Sequence, residues 1–386
     1  MIGLLQVSMM ETLLSSLIPI IASIKLFLTF AFVIRLRTLG LVIIFFTIVM
    51  VVLLVFILIF IYLKNKHEKK YAKYKIISGL LIRKAVFFDG IMLEETLIPV
   101  TKRATKLMVN NRFRKLFTED LITAKNNITG TSAENLKHLY RQLNLHKNAF
   151  QDLKSTRWHI KAKAIQELNL MEIIEFKDNL FPFTNHKTEL VRMEAQTALI
   201  QFTGFEGLQF LDTITYSISE WQQIKLLQKL SNLPPVHIKI DDWLKSTNNS
   251  VVVFALKLAR NYHHFELHDL ILTCLDHSDA QVRQQAIYCL GEIYTNETSI
   301  HLISRFWREG LKHQLLIIKA LKNIGSENDI PFLLTLLPID NYEMKLAAVE
   351  ALAFNGKKGL SSLNSYCKKD IEIHNISMQV KEELVA

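Results

Sequence analysis

Residues 277–293, HSDAQVRQQAIYCLGEI, contain a frame that recurs along the second half of the chain, marked by Val282, Arg283, Ala286 and Leu290. The same marks stand at Val191, Arg192, Ala195 and Leu199, at Met344, Lys345, Ala348 and Leu352, and at Ile160, Lys161, Ala164 and Leu168. Weaker copies begin at Gln222, Val251 and His313, so the frame starts at 160, 191, 222, 251, 282, 313 and 344 with steps of 31, 31, 29, 31, 31 and 31. A period this constant confines the chain to stacked supersecondary units, each of which buries its apolar face only against its neighbours.

The marks describe a helix. Thr188, Ser219, Asn248, Asp279 and Asn341 precede the frame by three residues, where a side-chain oxygen can accept the orphan N–H groups of a first turn; Arg157 and Gly310 break that pattern. The small residue four positions in (Ala164, Ala195, Ala255, Ala286, Ala348) admits a close backbone, and the Leu four further on shares its face. Gly325 and Gly356 follow helices at positions suited to a left-handed stop. A second helix is expected before each capped one, as in EGLQFLDTI, IHLISRFW and DIPFLLTLL, the last with Pro331 near its start. Only 12 glycines and 7 prolines among 386 residues suit such an all-helical fold and argue against a turn-rich β-sandwich.

The frame D-x-x-V-R-x-x-A-x-x-A-L, met best by DAQVRQQAIYCL, resembles the short HEAT-like repeats of bacteria, of the type also found in phycobilisome lyases. The resemblance covers about residues 145–370. It implies an all-α fold: a right-handed α-solenoid of about seven 31-residue helix pairs over 151–370, with the second helices lining a groove. Leu226 replaces the small residue in one copy, and Gln314 and Ile317 depart from the frame in another, so packing there is expected to be wider or out of register. Residues 104–150 read as a divergent helical cap, with Thr131 and Glu134 placed as a capping box, and 371–386 as a C-terminal tail.

The other end of the chain has a different character. Twenty-six residues without a charge, TLGLVIIFFTIVMVVLLVFILIFIYL, lie between Arg37 and Lys64, enough to cross a bilayer, and 39–63 is read as a transmembrane helix. The net charge of +10 is concentrated here: residues 1–150 hold 21 Lys and Arg against 8 Asp and Glu, whereas 151–386 hold 25 against 28. Lys64, Lys66, Lys69, Lys70, Lys73 and Lys75 open a basic juxtamembrane linker (64–103), which the positive-inside rule places in the cytoplasm and which would lie along anionic lipid. Within 1–38, the apolar stretch 12–34 contains Pro19 and Lys25; it reads either as a second span turned back at Arg35–Thr38 or as an interfacial extension. No A-x-A site follows, which favours an anchor over a cleaved signal. The layout resembles the membrane-anchored HEAT-repeat proteins of bacteria, and the resemblance implies a scaffold at the cytoplasmic membrane face with no defined chemistry.

No phosphate loop, H-E-x-x-H, G-x-S-x-G or paired-Cys motif is present, so no catalytic residue, cofactor or metal is expected. His263, His264, His268 and Asp269 read as polar residues between helices, and Cys274, Cys289 and Cys367 as free thiols of a reducing compartment. The acidic balance after residue 150 argues against nucleic acid. What remains is surface. Lys161, Arg192, Arg283 and Lys345 share one frame position, as either a ladder that ties repeats together through carboxylates such as Asp279 or a partner-binding row. Arg157 and Trp158 form with Lys161 the densest aromatic-basic cluster, read as interface anchors or, for Trp158, as core. The expected function is a scaffold for an unidentified protein, for instance a membrane complex. The alternatives are a lyase-like enzyme or accessory factor that binds a small ligand, and an adaptor regulated by anionic lipid.

Overall fold

The computed structural model describes residues 2–89, 97–231, 233 and 239–385, which form helices and connections without strands. The chain divides into two compact units, Met1–Phe87 with Pro99–Asp120, and Phe88–Ile98 with Leu121–Ala386.

The first unit is built on α1 (Ile2–Val86), a helix of 85 residues. Its apolar part is long and apolar enough to cross a membrane by length and composition, with a mean hydropathy of 3.6 in its most apolar window within Leu39–Val86. The backbone stays helical through 35–38, so the turn that a second span would need is not formed. The basic stretch expected as a linker likewise continues the helix to Val86. After α2 (Lys102–Met108), the first part of α3 (Asn111–Asn127) folds back on the end of α1. Tyr74 meets Phe113 edge-on with ring centroids 5.2 Å apart, Phe113 stacks on Phe117 at 6.2 Å, and Ser78 Oγ donates to Asp120 Oδ2 at 2.7 Å. These buried aromatics fix α3 to the helix that leaves the apolar segment.

The second unit opens with the rest of α3, α4 (Thr131–Gln142) and α5 (His146–Asp152). Gly130, with φ 72°, caps α4 in place of Thr131, which is already helical, and Glu134 pairs with Lys137 at 2.6 Å. The capping box is therefore displaced by a glycine that supplies the unusual backbone angle itself. There follow α6 (Trp158–Leu170), α7 (Lys177–Leu180), α8 (Glu189–Thr203), α9 (Glu220–Leu230), α10 (Ile240–Leu244), α11 (Asn249–Asn261), α12 (His268–Thr273), α13 (Ala280–Leu290), α14 (Thr298–Arg305), α15 (Leu311–Ile324), α16 (Ile330–Leu336) and α17 (Tyr342–Phe354).

The helices α6, α8, α9, α11, α13, α15 and α17 begin directly after Arg157, Thr188, Ser219, Asn248, Asp279, Gly310 and Asn341, the cap positions of the frame. Asp279 accepts from the N–H groups of Gln281 (2.7 Å) and Val282 (3.3 Å), Asn248 from Ser250 and Asn341 from Met344. Thr188 and Ser219 hold the cap position without a side-chain bond. The frame's small and Leu positions are buried throughout and belong to the core, with Leu226 and Ile317 buried where Ala is replaced. Gly325 (φ 66°) and Gly356 (φ 67°) take the left-handed region.

The helices preceding these are short and mixed with 3-10 turns, as at Phe181–Asn185, Gly204–Asp212 and Cys274–Asp276. Residues 371–386, expected as a tail, instead form α19 (Ile371–Val385) after α18 (Gly356–Cys367). Ile373, Ile376 and Val380, on one helical face, are buried and join the core, closing the last apolar surface of the array.

Candidate functional site: a polar cleft in the helical array

At Arg192, Arg283 and Lys345 the frame's basic side chain reaches the next unit. Arg283 donates from Nη1 to the carbonyls of His277 (2.9 Å) and Ser278 (3.0 Å) in the turn before its own helix. Its Nε and Nη2 bond the Glu309 carboxylate of the next unit at 2.9 and 3.3 Å. Arg192 repeats this: Nη1 donates to His186 O (2.8 Å) and Lys187 O (3.1 Å), and its guanidinium lies 4.4 Å from the centroid of the Tyr216 ring in the following unit. Lys345 pairs with Glu372 of α19 at 2.5 Å, a bond that raises its pKa above the ordinary lysine value. Lys161 sits 5.3 Å from the Phe183 ring. Asp279 caps α13, as its place in the frame predicts, and its second carboxylate oxygen accepts from Asn249 Nδ2 at 2.7 Å rather than from the arginine row. Burial alone would raise its pKa, but those hydrogen bonds outweigh burial and hold it below the usual carboxylate range.

Two residues before the cap stands a partner that the frame did not reveal. His186 Nδ1 accepts from Thr188 N, and His277 Nδ1 accepts from Asp279 N, both at 3.0 Å; Ser155 and Ser246 accept from Arg157 N and Asn248 N at 3.2 Å. Comparison of the turns alone, rather than of the helices, exposes this position in the sequence. Arg157 and Trp158 differ from the ladder: both are exposed, Trp158 by 48%, and Trp158 meets only the edge of His159 at 5.7 Å among the ring contacts described.

The backbone packing of the array loosens at α9. The backbones of α9 and α11 do not close on each other as those of α8 and α9 or of α11 and α13 do. Here Leu226 holds the position of Ala195, Ala255 and Ala286, and the frame shortens to its one 29-residue step. Polar side chains also link the two helices, whose Leu226, Leu230, Val251 and Phe254 belong to one continuous core. Gln223 Nε2 donates to Ile218 O (3.2 Å) and Ser250 O (3.3 Å), while its Oε1 accepts from Lys257 Nζ at 2.9 Å. Burial, reinforced by Arg260, holds Lys257 below the ordinary lysine value against the pull of Glu220.

A cleft of about 970 Å³ opens at this point. Its walls are the connection 214–219, Glu220 and Gln223 of α9, Asn249, Ser250, Val253 and Lys257 of α11, Gln281, Gln284 and Gln285 of α13, and Lys312 of α15. The lining is dominated by amides and hydroxyls, each able to donate and accept. The Gln285 amide nitrogen is buried behind this wall without a hydrogen-bond partner among the described residues.

Among the described residues no group of three or more His, Cys, Asp or Glu side chains is placed to hold a metal ion. His268 is buried between Thr298 (Nε2 to Oγ1, 2.7 Å) and Asp269 (3.0 Å), and His264 pairs with Glu266 at 2.6 Å. Of the juxtamembrane lysines, Lys66, Lys69 and Lys73 are exposed on α1, Lys64 lies 3.9 Å from Glu68, and Lys75 binds Asp120 at 2.5 Å, which raises its pKa.

These features define an all-helical repeat array with an internal polar cleft. A HEAT-repeat family model matches residues 269–296, the stretch of α12 and α13. No curated protein matches the chain. Solved structures similar to it include an engineered protein, at 17% identity and TM-score 0.37 over 72% of this chain and 86% of that one. Kap95p in its complex with RanGDP is similar at 11% identity and TM-score 0.37, over 82% of this chain and 47% of that one. A tumor overexpressed gene (TOG) domain array of a microtubule polymerase is similar at 11% identity and TM-score 0.26, over 82% and 91%. Similarity at this level does not extend to a site.

Proposed function

We propose that this chain is a membrane-anchored scaffold whose helical array, a right-handed solenoid of about seven HEAT-like pairs, presents the cleft at α9–α13 to a segment of a partner protein. The apolar part of α1 serves as a single span, with the lysines after it and the whole array on the cytoplasmic side, as the positive-inside rule requires. The observation that carries the reading is the cleft itself: a wide opening lined by amides and hydroxyls, formed where the repeat loses its small residue. Alternating donors and acceptors suit the N–H and C=O groups of an extended polypeptide, whereas small-molecule sites are usually more apolar. The lyase-like alternative is correspondingly less well served. Arg192, Arg283 and Lys345 act within the array, while exposed Arg157 and Trp158 extend the partner surface.

The test is quantitative co-purification of the full-length protein beside Gln281→Arg/Lys312→Glu, two exposed positions on the cleft rim. A stoichiometric partner lost from the variant at unchanged thermal stability supports the reading; a partner retained by it removes the cleft as its site. Extraction of membranes with alkaline carbonate tests the anchor, which should keep the protein in the pellet.

A further inference from the structure

A second cleft, of about 300 Å³, lies within the first unit between α1 and α3. Its walls are His67, Lys70, Tyr71 and Tyr74 on α1 and Arg112, Lys115, Leu116 and Glu119 on α3. Both sets follow the spacing i, i+3, i+4, i+7, so each is one helical face, and the Tyr74–Phe113 contact fixes the two faces against each other. Lys70 lies 5.6 Å from the Tyr74 ring centroid. Arg112 and Lys115 are exposed and make no ion pair among the described residues. Three permanent cations thus line one small cleft against the single carboxylate of Glu119.

Its position along α1 gives it a partner. Leu63 ends the uncharged stretch, and at 1.5 Å per residue His67 stands about 6 Å and Tyr74 about 16 Å beyond it on the same unbroken helix. Headgroups occupy roughly 5–8 Å on each side of the hydrocarbon core, so the near end of the cleft falls at their depth and tilt lowers the rest. Tyrosines with basic side chains around them are the usual residues at that level.

We infer that this cleft is a binding site for the phosphate headgroup of an anionic phospholipid, with Lys70, Arg112 and Lys115 as its cations and Tyr71 and Leu116 beside the glycerol. The inference rests on the membrane reading of α1 and goes beyond it: α3 turns a diffuse basic run into a formed site. Lipid held there would tie α3, as well as α1, to the bilayer surface.

Native mass spectrometry of the detergent-solubilised full-length protein, titrated with phosphatidylglycerol or phosphatidylcholine, tests it. Phosphatidylglycerol should be preferred, and Arg112→Gln/Lys115→Gln should weaken it roughly ten- to thirty-fold, as expected for the loss of two cations. Arg103→Gln/Lys106→Gln removes equal charge from exposed positions of α2 and should leave binding unchanged. Equal losses in the two variants, or no loss in the first, would overturn the site, and glycerol phosphate binding as tightly as the lipid would overturn its lipid source. The span is scored separately by carbonate extraction of the same protein, where its failure shows as release from the membrane and not as a lost adduct.

Discussion

Arg283 grips the carboxylate of Glu309, one unit further along, with two nitrogens at 2.9 and 3.3 Å. The same carboxylate, almost wholly enclosed, also accepts from Arg305 Nε at 3.2 Å and from His313 Nδ1 at 2.6 Å. It is the common acceptor of three basic side chains from α13, α14 and α15. Glu309→Gln keeps the shape but strands those donors beside a neutral amide, and should lower the unfolding free energy by about 2–4 kcal/mol. Urea denaturation of the wild type and the variant measures this. A change under about 0.5 kcal/mol, the level of an ordinary surface substitution, would mean that water replaces the carboxylate at no cost.

The same group sets an acid limit. Burial alone would raise the pKa of Glu309, but the bonds from His313, Arg283 and Arg305 outweigh it and hold the carboxyl below its ordinary range. The folded value is depressed relative to the unfolded one, near 4.3 for glutamate, so its stabilisation is complete above that pH and is lost as pH falls through the folded value. Through this carboxyl, the stability gap between wild type and Glu309→Gln should therefore shrink as the solution becomes more acidic than the ordinary glutamate value. Denaturant midpoints of both proteins above and below that value provide the check. A gap that persists after the carboxyl has titrated would assign the effect to packing.

The helices that carry the frame were legible because one 3.6-residue periodicity, repeated at a fixed step, specified caps, core and spacing together: Asp279, Val282, Ala286 and Leu290 occupy the expected places. The partners of the frame were not legible. Arg283 finds Glu309, 26 residues ahead, and Asp279 turns to Asn249, choices made by the stacking of units and absent from local spacing. The intervening helices broke into 3-10 turns because runs as short as Phe181–Asn185, with Pro182 inside, carry too little periodicity to distinguish one helix type from another. The amide cleft announced itself only as an irregularity, Leu226 in an alanine position beside a short step, and α3 looked like part of a cap until its aromatics met Tyr74.

A glycine marks a close approach between a 3-10 segment and α8. A Cβ on Gly207 would stand 2.8 Å from the backbone carbon and oxygen of Leu199 and 2.9 Å from Ile200 N, on the spine of α8. Neither neighbour can move without disturbing helical hydrogen bonds. Gly207→Ala should cost about 1–3 kcal/mol by overpacking, against near neutrality for Gly310→Ala, whose added methyl meets nothing within 4 Å. Paired thermal melts discriminate the two. Equal stability of both variants would show that the 3-10 segment lifts off α8 freely.

The cysteines report on how tightly the array is closed. Cys289 is fully buried on α13, its thiol donating to Leu256 O at 3.5 Å, and burial pushes its pKa up to about 12. Cys274 is also buried, and burial pushes its thiol up to about 11. The thiolate is the reactive form, so both are protected twice, by scarcity of thiolate and by lack of access. Cys367, at the end of α18, is only half-buried. Alkylation of the native protein at mildly basic pH, mapped by mass spectrometry, should modify Cys367 first and reach Cys274 and Cys289 only at the rate at which the array opens. Because α13 lines the polar cleft, labelling of Cys289 as fast as Cys367 would mean that this wall opens locally in the native state, and a tight partner in the cleft should then slow it.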